Sequence, residues 1–237
     1  MKKVVAIHQP NFFPWLGYFD KLNSADTFIF LDDVQFPKTG GTWTNRVKLI
    51  VGGEARWLTA AIERNYHGTK KIKDMYFQSE IPWRSKLINT LINEYRKHEF
   101  FNEVFGVVEP LFSNPENNIT AYNIHAITAI ANILDFNTSN FTRSSDFLLN
   151  ETSNELLCSI TLLAGGDSYL NGGGSLGYLD ESIFNLNGIN LIHQNFIHPV
   201  YKQNRIEDFI PGLSIIDMAM NIGWAGLKDI FYKKNNV

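Results

Sequence analysis

The sequence predicts an α/β protein, and three observations at its N-terminus carry that prediction. Residues 4–7 form a continuous β-branched apolar run, typical of a buried strand. In residues 15–23, Leu16, Phe19 and Leu22 recur on one side of a short helix that Pro14 precedes. A second β-branched and aromatic run covers residues 27–31. A strand, a helix and a strand within so short a stretch form a βαβ unit, so we expect parallel strands in a parallel or mixed sheet.

The middle of the chain is predicted to be largely helical. One helix is expected over residues 82–105 and another over residues 119–134, with a break at residues 114–118. A third helix is expected to begin at a capping box formed by Thr152 and Glu155, and a further strand is expected over residues 188–194. We expect a single α/β domain over residues 1–237, with residues 82–165 as a candidate helical subdomain.

The composition excludes several classes of protein. The chain has 237 residues, of which 44% are hydrophobic and 19% charged, as in a folded globular protein. A net charge of -3 argues against a dedicated nucleic-acid-binding protein. With one cysteine, Cys158, no intramolecular disulfide can form, and no signal peptide is recognisable, so we expect a cytoplasmic protein without a membrane span. Neither a zinc-ligand spacing nor a cofactor motif is present, so no metal and no cofactor are expected.

Polar residues follow both predicted N-terminal strands. His8 ends the first strand, and Asp32 and Asp33 end the second. Ligands of parallel sheets bind beyond the carboxyl ends of the strands, where a histidine and a carboxylate can act as a general base and its orienting partner. Alternatively, His8 bonds a loop carbonyl and an aspartate caps a turn. Adjacent aspartates on a strand point to opposite faces, which disfavours a shared metal.

Three further groups are candidate ligand contacts. Lys38, Asn45 and Arg46 lie in a basic loop that could hold a phosphate or a carboxylate, or could be ordinary surface charge. The glycines at 172–174 could form an anion-binding backbone nest or a flexible turn. Ser214 and Asp217 have the spacing of a helix capping box with Asp in place of Glu.

Four blocks together resemble the WbqC-like protein family, in order and over nearly the whole chain. They read HQPNFFPWLGYFDKLNSADTFIFLDDVQFPK, WTNR, GGDSYLNGGGSLGYLD and FIPGLSIIDMAMNIG. The most specific parts are HQPxxxPxxGYFDK and LSIID. The resemblance implies a cytoplasmic step in the synthesis of bacterial O-antigen or other surface-polysaccharide precursors, with glycyl or other acyl transfer to an amino sugar as the suggested reaction. It also marks Gln9, Tyr18, Trp43, Tyr169 and Gly172 as site positions.

The leading hypothesis is therefore a transferase for a nucleotide-linked or lipid-linked amino sugar, with an acyl or aminoacyl carrier as a second partner. His8 is expected to be the general base and Asp33 to orient it. Substrate contacts are expected from Gln9, Tyr18, Lys38, Trp43, Asn45, Arg46, Tyr169, Gly172, Ser214 and Asp217. One alternative is an enzyme similar to HxGH nucleotidyltransferases, although Trp15 and Tyr18 replace both histidines of that motif. Another is a non-catalytic subunit that binds a sugar nucleotide.

Overall fold

The computed structural model describes residues 2–38, 42–173, 179–204 and 206–235. The strands are β1 (Val4–His8), β2 (Thr27–Phe30), β3 (Arg46–Val51), β4 (Glu54–Thr59), β5 (Phe141–Arg143), β6 (Ser168–Asn171) and β7 (Asn190–His193). The central sheet has the order β5-β2-β1-β6-β7, and all of its neighbouring strands are parallel. The predicted α/β class and the parallel N-terminal βαβ unit are confirmed, as is the predicted strand that became β7.

The α-helices are α1 (Leu16–Asn23), α2 (Trp83–Tyr95), α3 (Phe101–Ser113), α4 (Ile119–Ile133), α5 (Ser153–Leu163), α6 (Glu181–Leu186) and α7 (Ile215–Asn235). The prediction of one helix over residues 82–105 is wrong, because α2 ends at Tyr95 and α3 begins at Phe101. At that point the Tyr95 carbonyl accepts hydrogen bonds from both the backbone N–H and the imidazole Nδ1 of His98, which turns the chain out of the helix.

Both faces of the sheet are covered, because alternate side chains of each strand enter different apolar clusters. Val5 and Ile7 pack in a cluster with α5 and α6, whereas Ala6 packs in the larger cluster that contains α1. The same alternation places Ile29 on the α5 side and Phe28 on the α1 side. The near-continuous apolar runs of the sequence therefore reflect strands that are buried on both faces.

The strand order creates a switch point beside β1. Numbered within the sheet alone, the order reads 3-2-1-4-5, which is that of a doubly wound α/β fold. The chain proceeds outward from β1 through β2 to β5, and then returns to the other side of β1 to form β6 and β7. Beyond the carboxyl ends of β1 and β6 the loops therefore diverge, and this is where such sheets bind ligands.

The long segment between β2 and β5 packs against the loop that follows β1. It contains the antiparallel hairpin of β3 and β4 and the helices α2 to α4. Phe12 lies within about 6 Å, between ring centroids, of Trp83, Phe112 and Tyr122 from these helices. The buried amide Nδ2 of Asn123 donates to Pro10 O at 2.8 Å and to Thr44 O at 2.7 Å. One side chain of α4 thus fixes two loops.

The predicted capping box before α5 is wrong. Thr152 is the residue that precedes the helix, but its side chain makes no capping hydrogen bond. Ser153 has a φ of 56°, a left-handed conformation that turns the chain at the point where the box would close. Asp180, by contrast, caps α6 by accepting a hydrogen bond from the backbone N–H of Ser182. Across the described ranges, no helix combines the length and apolar character that a bilayer crossing requires.

Candidate functional site

A cavity of about 670 Å³ opens beyond the carboxyl ends of β1 and β6, at the switch point of the sheet. Its wall combines the end of β1, one face of α1, the loop before β3, the end of β6 and the segment after β7. The wall residues used below are His8, Gln9, Trp15, Gly17, Tyr18, Lys21, Trp43, Tyr169, Gly172, Gln194, Phe196 and His198. We call this space the switch-point cavity.

One side of the switch-point cavity is aromatic. The rings of Trp15 and Trp43 lie 4.6 Å apart between centroids, and Trp15 also contacts the ring of Tyr18. Trp43 is supported from behind by Trp57, whose own ring carries the Arg46 guanidinium 4.0 Å from its centroid. This stack holds the indole of Trp43 in place, so the wall can offer a fixed apolar face to a ligand ring.

His8 lies at the end of β1 with a defined tautomer. Its Nδ1 donates to Gln9 O at 3.2 Å, which leaves Nε2 as an acceptor. The edge of the ring meets Tyr18 at 4.7 Å between centroids. Burial, and then the charge of Lys21, lower the pKa of His8 to about 3, against a smaller opposing effect of the Gln9 carbonyl. The imidazole is therefore neutral at pH 7.

Lys21 brings an amine to the same cavity. Its side chain, from the last turn of α1, is 3% exposed, and its Nζ donates to Ile7 O at 2.8 Å. The amine also lies 5.7 Å from the ring centroid of Tyr169 on β6. Burial lowers the pKa of Lys21 to about 7. In the part of the chain that the structure describes, no carboxylate forms an ion pair with it.

The remaining wall joins β6, β7 and α1. The amide Nε2 of Gln194, just after β7, donates to Gly17 O at 2.8 Å and to Asp20 Oδ2 at 2.7 Å. Gly172, just after β6, faces Lys21 closely enough that an added Cβ would lie 3.9 Å from Nζ. Gly174, the last residue of the predicted backbone nest, lies outside the described residues.

The structure brings together about half of the site residues that the sequence predicts. Those on the wall of the switch-point cavity are His8, Gln9, Tyr18, Trp43, Tyr169 and Gly172. Those that do not line it are Asp33, Lys38, Asn45, Arg46, Ser214 and Asp217.

The predicted pairing of Asp33 with His8 is wrong. Asp33 Oδ1 accepts from Ser144 Oγ at 2.7 Å, and Asp33 Oδ2 lies 3.9 Å from Lys71 Nζ. Asp32 is likewise bonded to Ser144 and Ser145. After β2 the chain turns towards β5, so both carboxylates meet the serines that follow β5 instead of the end of β1. Asp33 lines a second cavity, of about 810 Å³.

The residues predicted in the basic loop support the fold in the structure. The Asn45 amide donates to Ala60 O across the base of the β3–β4 hairpin, and Arg46 lies over the outer face of Trp57. The Lys38 ammonium lies 5.8 Å from the ring centroid of Tyr66. None of the three side chains reaches the switch-point cavity, so their contribution to it is indirect.

Of the predicted capping box at Ser214 and Asp217, only the Ser214 half forms: Ser214 Oγ accepts a hydrogen bond from the backbone N–H of Ile216 at 3.3 Å, in the first turn of α7. Ser214 Oγ donates to Phe13 O at 2.7 Å, which ties the start of α7 to the loop after β1. The buried Asp217 carboxylate instead accepts hydrogen bonds from the hydroxyls of Tyr95 and Tyr201, each at 2.6 Å. Burial raises the pKa of Asp217 above its usual value, and the two tyrosine hydrogen bonds oppose that shift.

The sequence-based reasoning missed Lys21, Trp15 and Gln194. A signal for Lys21 was present, because it is three residues after Tyr18, an expected substrate contact, and therefore on the same face of the predicted helix. Gln194 had no such signal, since its position depends on β7 pairing beside β6. Among the described residues, no group of three His, Cys, Asp or Glu side chains is arranged to hold a metal ion.

Comparison with known proteins agrees with the resemblance seen in the blocks. A curated protein of Mycobacterium tuberculosis, "Uncharacterized protein Rv1507c", is 28% identical over 225 residues, which cover 94% of this chain and 95% of that protein. No solved structure gives a significant match. The model of the WbqC-like protein family matches residues 9–229, which include nearly all of the switch-point cavity. Because that match covers almost the whole sequence, the chain belongs to the WbqC-like protein family.

Proposed function

We propose that the protein is a cytoplasmic transferase that acts on a nucleotide-linked or lipid-linked amino sugar in the synthesis of bacterial surface-polysaccharide precursors, and that it transfers an acyl or glycyl group. The observation that carries the proposal is the switch-point cavity, in which the family block HQPxxxPxxGYFDK supplies both an aromatic wall and polar groups. Family membership supports the setting in polysaccharide synthesis through the resemblance described above.

The dimensions and chemistry of the cavity suit such a substrate. Its volume of about 670 Å³ lies within the range of about 300–1,000 Å³ usual for small-molecule sites. Trp15 and Trp43 offer the kind of flat apolar surface on which a sugar ring or a nucleobase stacks. Gln9 and Gln194 provide amide groups that can bond sugar hydroxyls.

In the proposed reaction, the amine nitrogen of the sugar attacks the acyl carbonyl carbon. A nitrogen–carbon bond forms, the bond from the acyl carbon to its carrier breaks, and the nitrogen loses a proton. His8 Nε2 is the proposed hydrogen-bond acceptor for that nitrogen. Because the pKa of His8 is low, its imidazole can take a proton only from an acidic group. The sugar nitrogen becomes acidic once its bond to the acyl carbon has formed. Asp33 has no part in this step, because its carboxylate is bound to Ser144.

The test combines ligand binding with a mass measurement. Wild-type protein is screened by thermal shift against UDP-, dTDP- and GDP-linked amino sugars with a free amine, and a binding sugar is then incubated with acyl-CoA or an aminoacyl donor. We expect a rise in melting temperature with one sugar nucleotide and a product heavier by one acyl or glycyl group. Trp43→Ala should lose the shift, whereas Tyr76→Ala, which changes an exposed tyrosine outside the cavity wall, should keep it.

Failure of every sugar nucleotide to bind would refute the nucleotide-linked form of the transferase proposal and would leave a lipid-linked amino sugar as its substrate. A second candidate, nucleotidyl transfer, is favoured by one observation: Trp15 and Tyr18, at the positions of the two HxGH histidines, both line the switch-point cavity. That candidate requires release of diphosphate from a nucleoside triphosphate, which the same mass measurement detects when a nucleoside triphosphate replaces the acyl donor in the incubation. Binding without turnover of either kind would favour a non-catalytic sugar-nucleotide-binding subunit.

A further inference from the structure

We propose that Lys21 is the anion-binding residue of the switch-point cavity, and that the anion is a phosphate group of the nucleotide-linked substrate. The inference rests on the proposed function for the identity of that substrate. The inference also gives the orientation of the substrate in the cavity. The phosphates lie at the junction of β1, α1 and β6, and the sugar or the base lies along the two tryptophans.

The geometry leaves the ammonium group incompletely bonded. Lys21 Nζ donates one hydrogen bond, to Ile7 O at 2.8 Å, and lies on the wall of the cavity. An ammonium group has three donors, and within the described residues no second acceptor is present for it. Because Lys21 lines the cavity, the two donors that no described residue accepts are available to a ligand there.

The charge of Lys21 also has no counter-charge among the described residues. The neighbouring Asp20 carboxylate is engaged by the amide of Gln194, and the ion pairs found in the described ranges do not include Lys21. A buried cation without a counter-charge is unfavourable, and an anionic ligand removes that penalty when it binds. A phosphate group also accepts several hydrogen bonds at once, which matches the donors that remain.

The strand β6 leaves room for such a group. It ends at Asn171, and Gly172 follows with no side chain in front of the amine. A Cβ at Gly172 would lie 3.9 Å from Lys21 Nζ and 3.7 Å from Gln194 Oε1, in the space that a phosphate oxygen would use. The aromatic ring of Tyr169, on the same strand, bounds the site, with its centroid 5.7 Å from Lys21 Nζ.

Protonation of Lys21 should control the affinity. The titratable groups that face it are His8 from β1, Tyr18 from α1, Tyr169 from β6 and His198 from the segment after β7. Burial lowers the pKa of both histidines and raises the pKa of both tyrosines. Burial lowers the pKa of the Lys21 amine to about 7. Among Lys21 and these four groups, the amine is therefore the one that titrates between about pH 6.5 and 9.

A bound anion favours the charged amine, so its pKa rises on binding and the complex takes up a proton. Below pH 7 the amine of the free protein is already charged, so its contribution to the affinity is at its plateau. Above pH 7 each unit of pH should weaken binding about tenfold, until the pKa of the complex is reached.

The experiment measures binding of inorganic diphosphate and of UDP, dTDP and GDP by calorimetry from pH 6.5 to 9, in buffers with different enthalpies of ionisation. We expect binding with proton uptake that increases above pH 7. Lys21→Met should abolish binding of inorganic diphosphate and flatten the pH dependence that remains for the nucleotides. Lys3→Met is the matched control, because it removes an equal charge from a lysine that bonds Ala164 O outside the cavity wall.

Glycine and acetate form a separate arm of the experiment. Lys21-dependent binding of these carboxylates, without any binding of diphosphate or nucleotides, would overturn the assignment of a phosphate. Wild-type and Lys21→Met proteins that bind diphosphate equally, or a wild type that does not bind it at millimolar concentration, would overturn the role of Lys21. Diphosphate binding that depends on Lys21, but no transfer to any amino sugar, would uphold this inference and refute the proposed function instead.

Discussion

The double hydrogen bond of Asn123 provides a sharp test of how the cavity is supported. We consider Asn123→Leu, which keeps a side chain of similar size but removes the amide that donates to Pro10 O and Thr44 O. Both carbonyls would then be buried without a donor. Each unsatisfied carbonyl costs about 1–3 kcal/mol, partly offset by burial of an apolar side chain and by removal of the buried Asn123 Oδ1, which has no partner within the described ranges, so we expect the free energy of unfolding to fall by about 1–3 kcal/mol.

The assay is urea unfolding, together with the melting temperature. For a chain of this length, the expected loss lowers the melting temperature by on the order of 10 °C. Pro10 and Thr44 adjoin residues of the cavity wall, namely Gln9 and Trp43, so ligand binding should weaken at temperatures where the variant remains folded.

Thr120→Val is the matched control on the same helix. Thr120 is fully buried, and its hydroxyl has no hydrogen-bond partner within the described ranges, so its replacement should leave stability unchanged or raise it. A loss below about 1 kcal/mol for Asn123→Leu, or an equal loss for Thr120→Val, would refute the reasoning that α4 fixes the two loops through this amide.

Three further results are expected. Gly17→Ala should weaken diphosphate and nucleotide binding in calorimetry and destabilise the fold by about 1–3 kcal/mol, because its Cβ would lie 2.8 Å from Trp15 Nε1 and 2.9 Å from Phe196 Cδ1; unchanged binding would contradict it. Lys21→Met should melt at a higher temperature than wild type at pH 7, where the native state of the wild type holds a buried charge. That gain should shrink as the pH rises from 7 towards 10, since the amine has a native pKa of about 7 and an ordinary one of 10.5. Wild type should lose about 1–2 kcal/mol of stability between pH 7 and 5 through His8, whose native pKa of about 3 lies below its ordinary value, so that the unfolded chain takes up the proton first. His8→Gln should lose less over that interval, and equal acid sensitivity of the two proteins would contradict the assignment.

The sequence predicts the parts of the fold that depend on local patterns. The β-branched runs and the short amphipathic helix were sufficient to predict β1, α1, β2 and their parallel arrangement, because period and composition determine these elements locally. The break between α2 and α3 was not predictable in this way. It depends on a histidine that bonds a carbonyl three residues earlier, within a stretch of ordinary helix-forming residues.

The site residues also differ in whether local sequence or long-range pairing determines their position. His8 and Tyr18 are positioned by β1 and α1, which were predicted from local patterns, and the structure places both on one cavity wall. The partner of Asp33 could not be predicted, because Ser144 reaches it only through the pairing of β5 with β2, more than a hundred residues later in the chain. Asp217 was read as a local cap, but its carboxylate is bound by tyrosines from distant segments.

The position of β1 in the sheet has a consequence for the synthesis of the protein. β1 is the central strand, yet one of its neighbours, β6, follows it by about 160 residues, as the pairing of Val4 with Ser168 requires. Chains are synthesised at about 5–20 residues per second, so one edge of β1 stays unpaired for about 10–30 s before β6 has been made. An apolar strand with an unpaired edge is prone to association with other chains during that interval. We therefore expect the yield of folded protein to depend on chaperones that bind nascent chains more than on the final stability of the sheet.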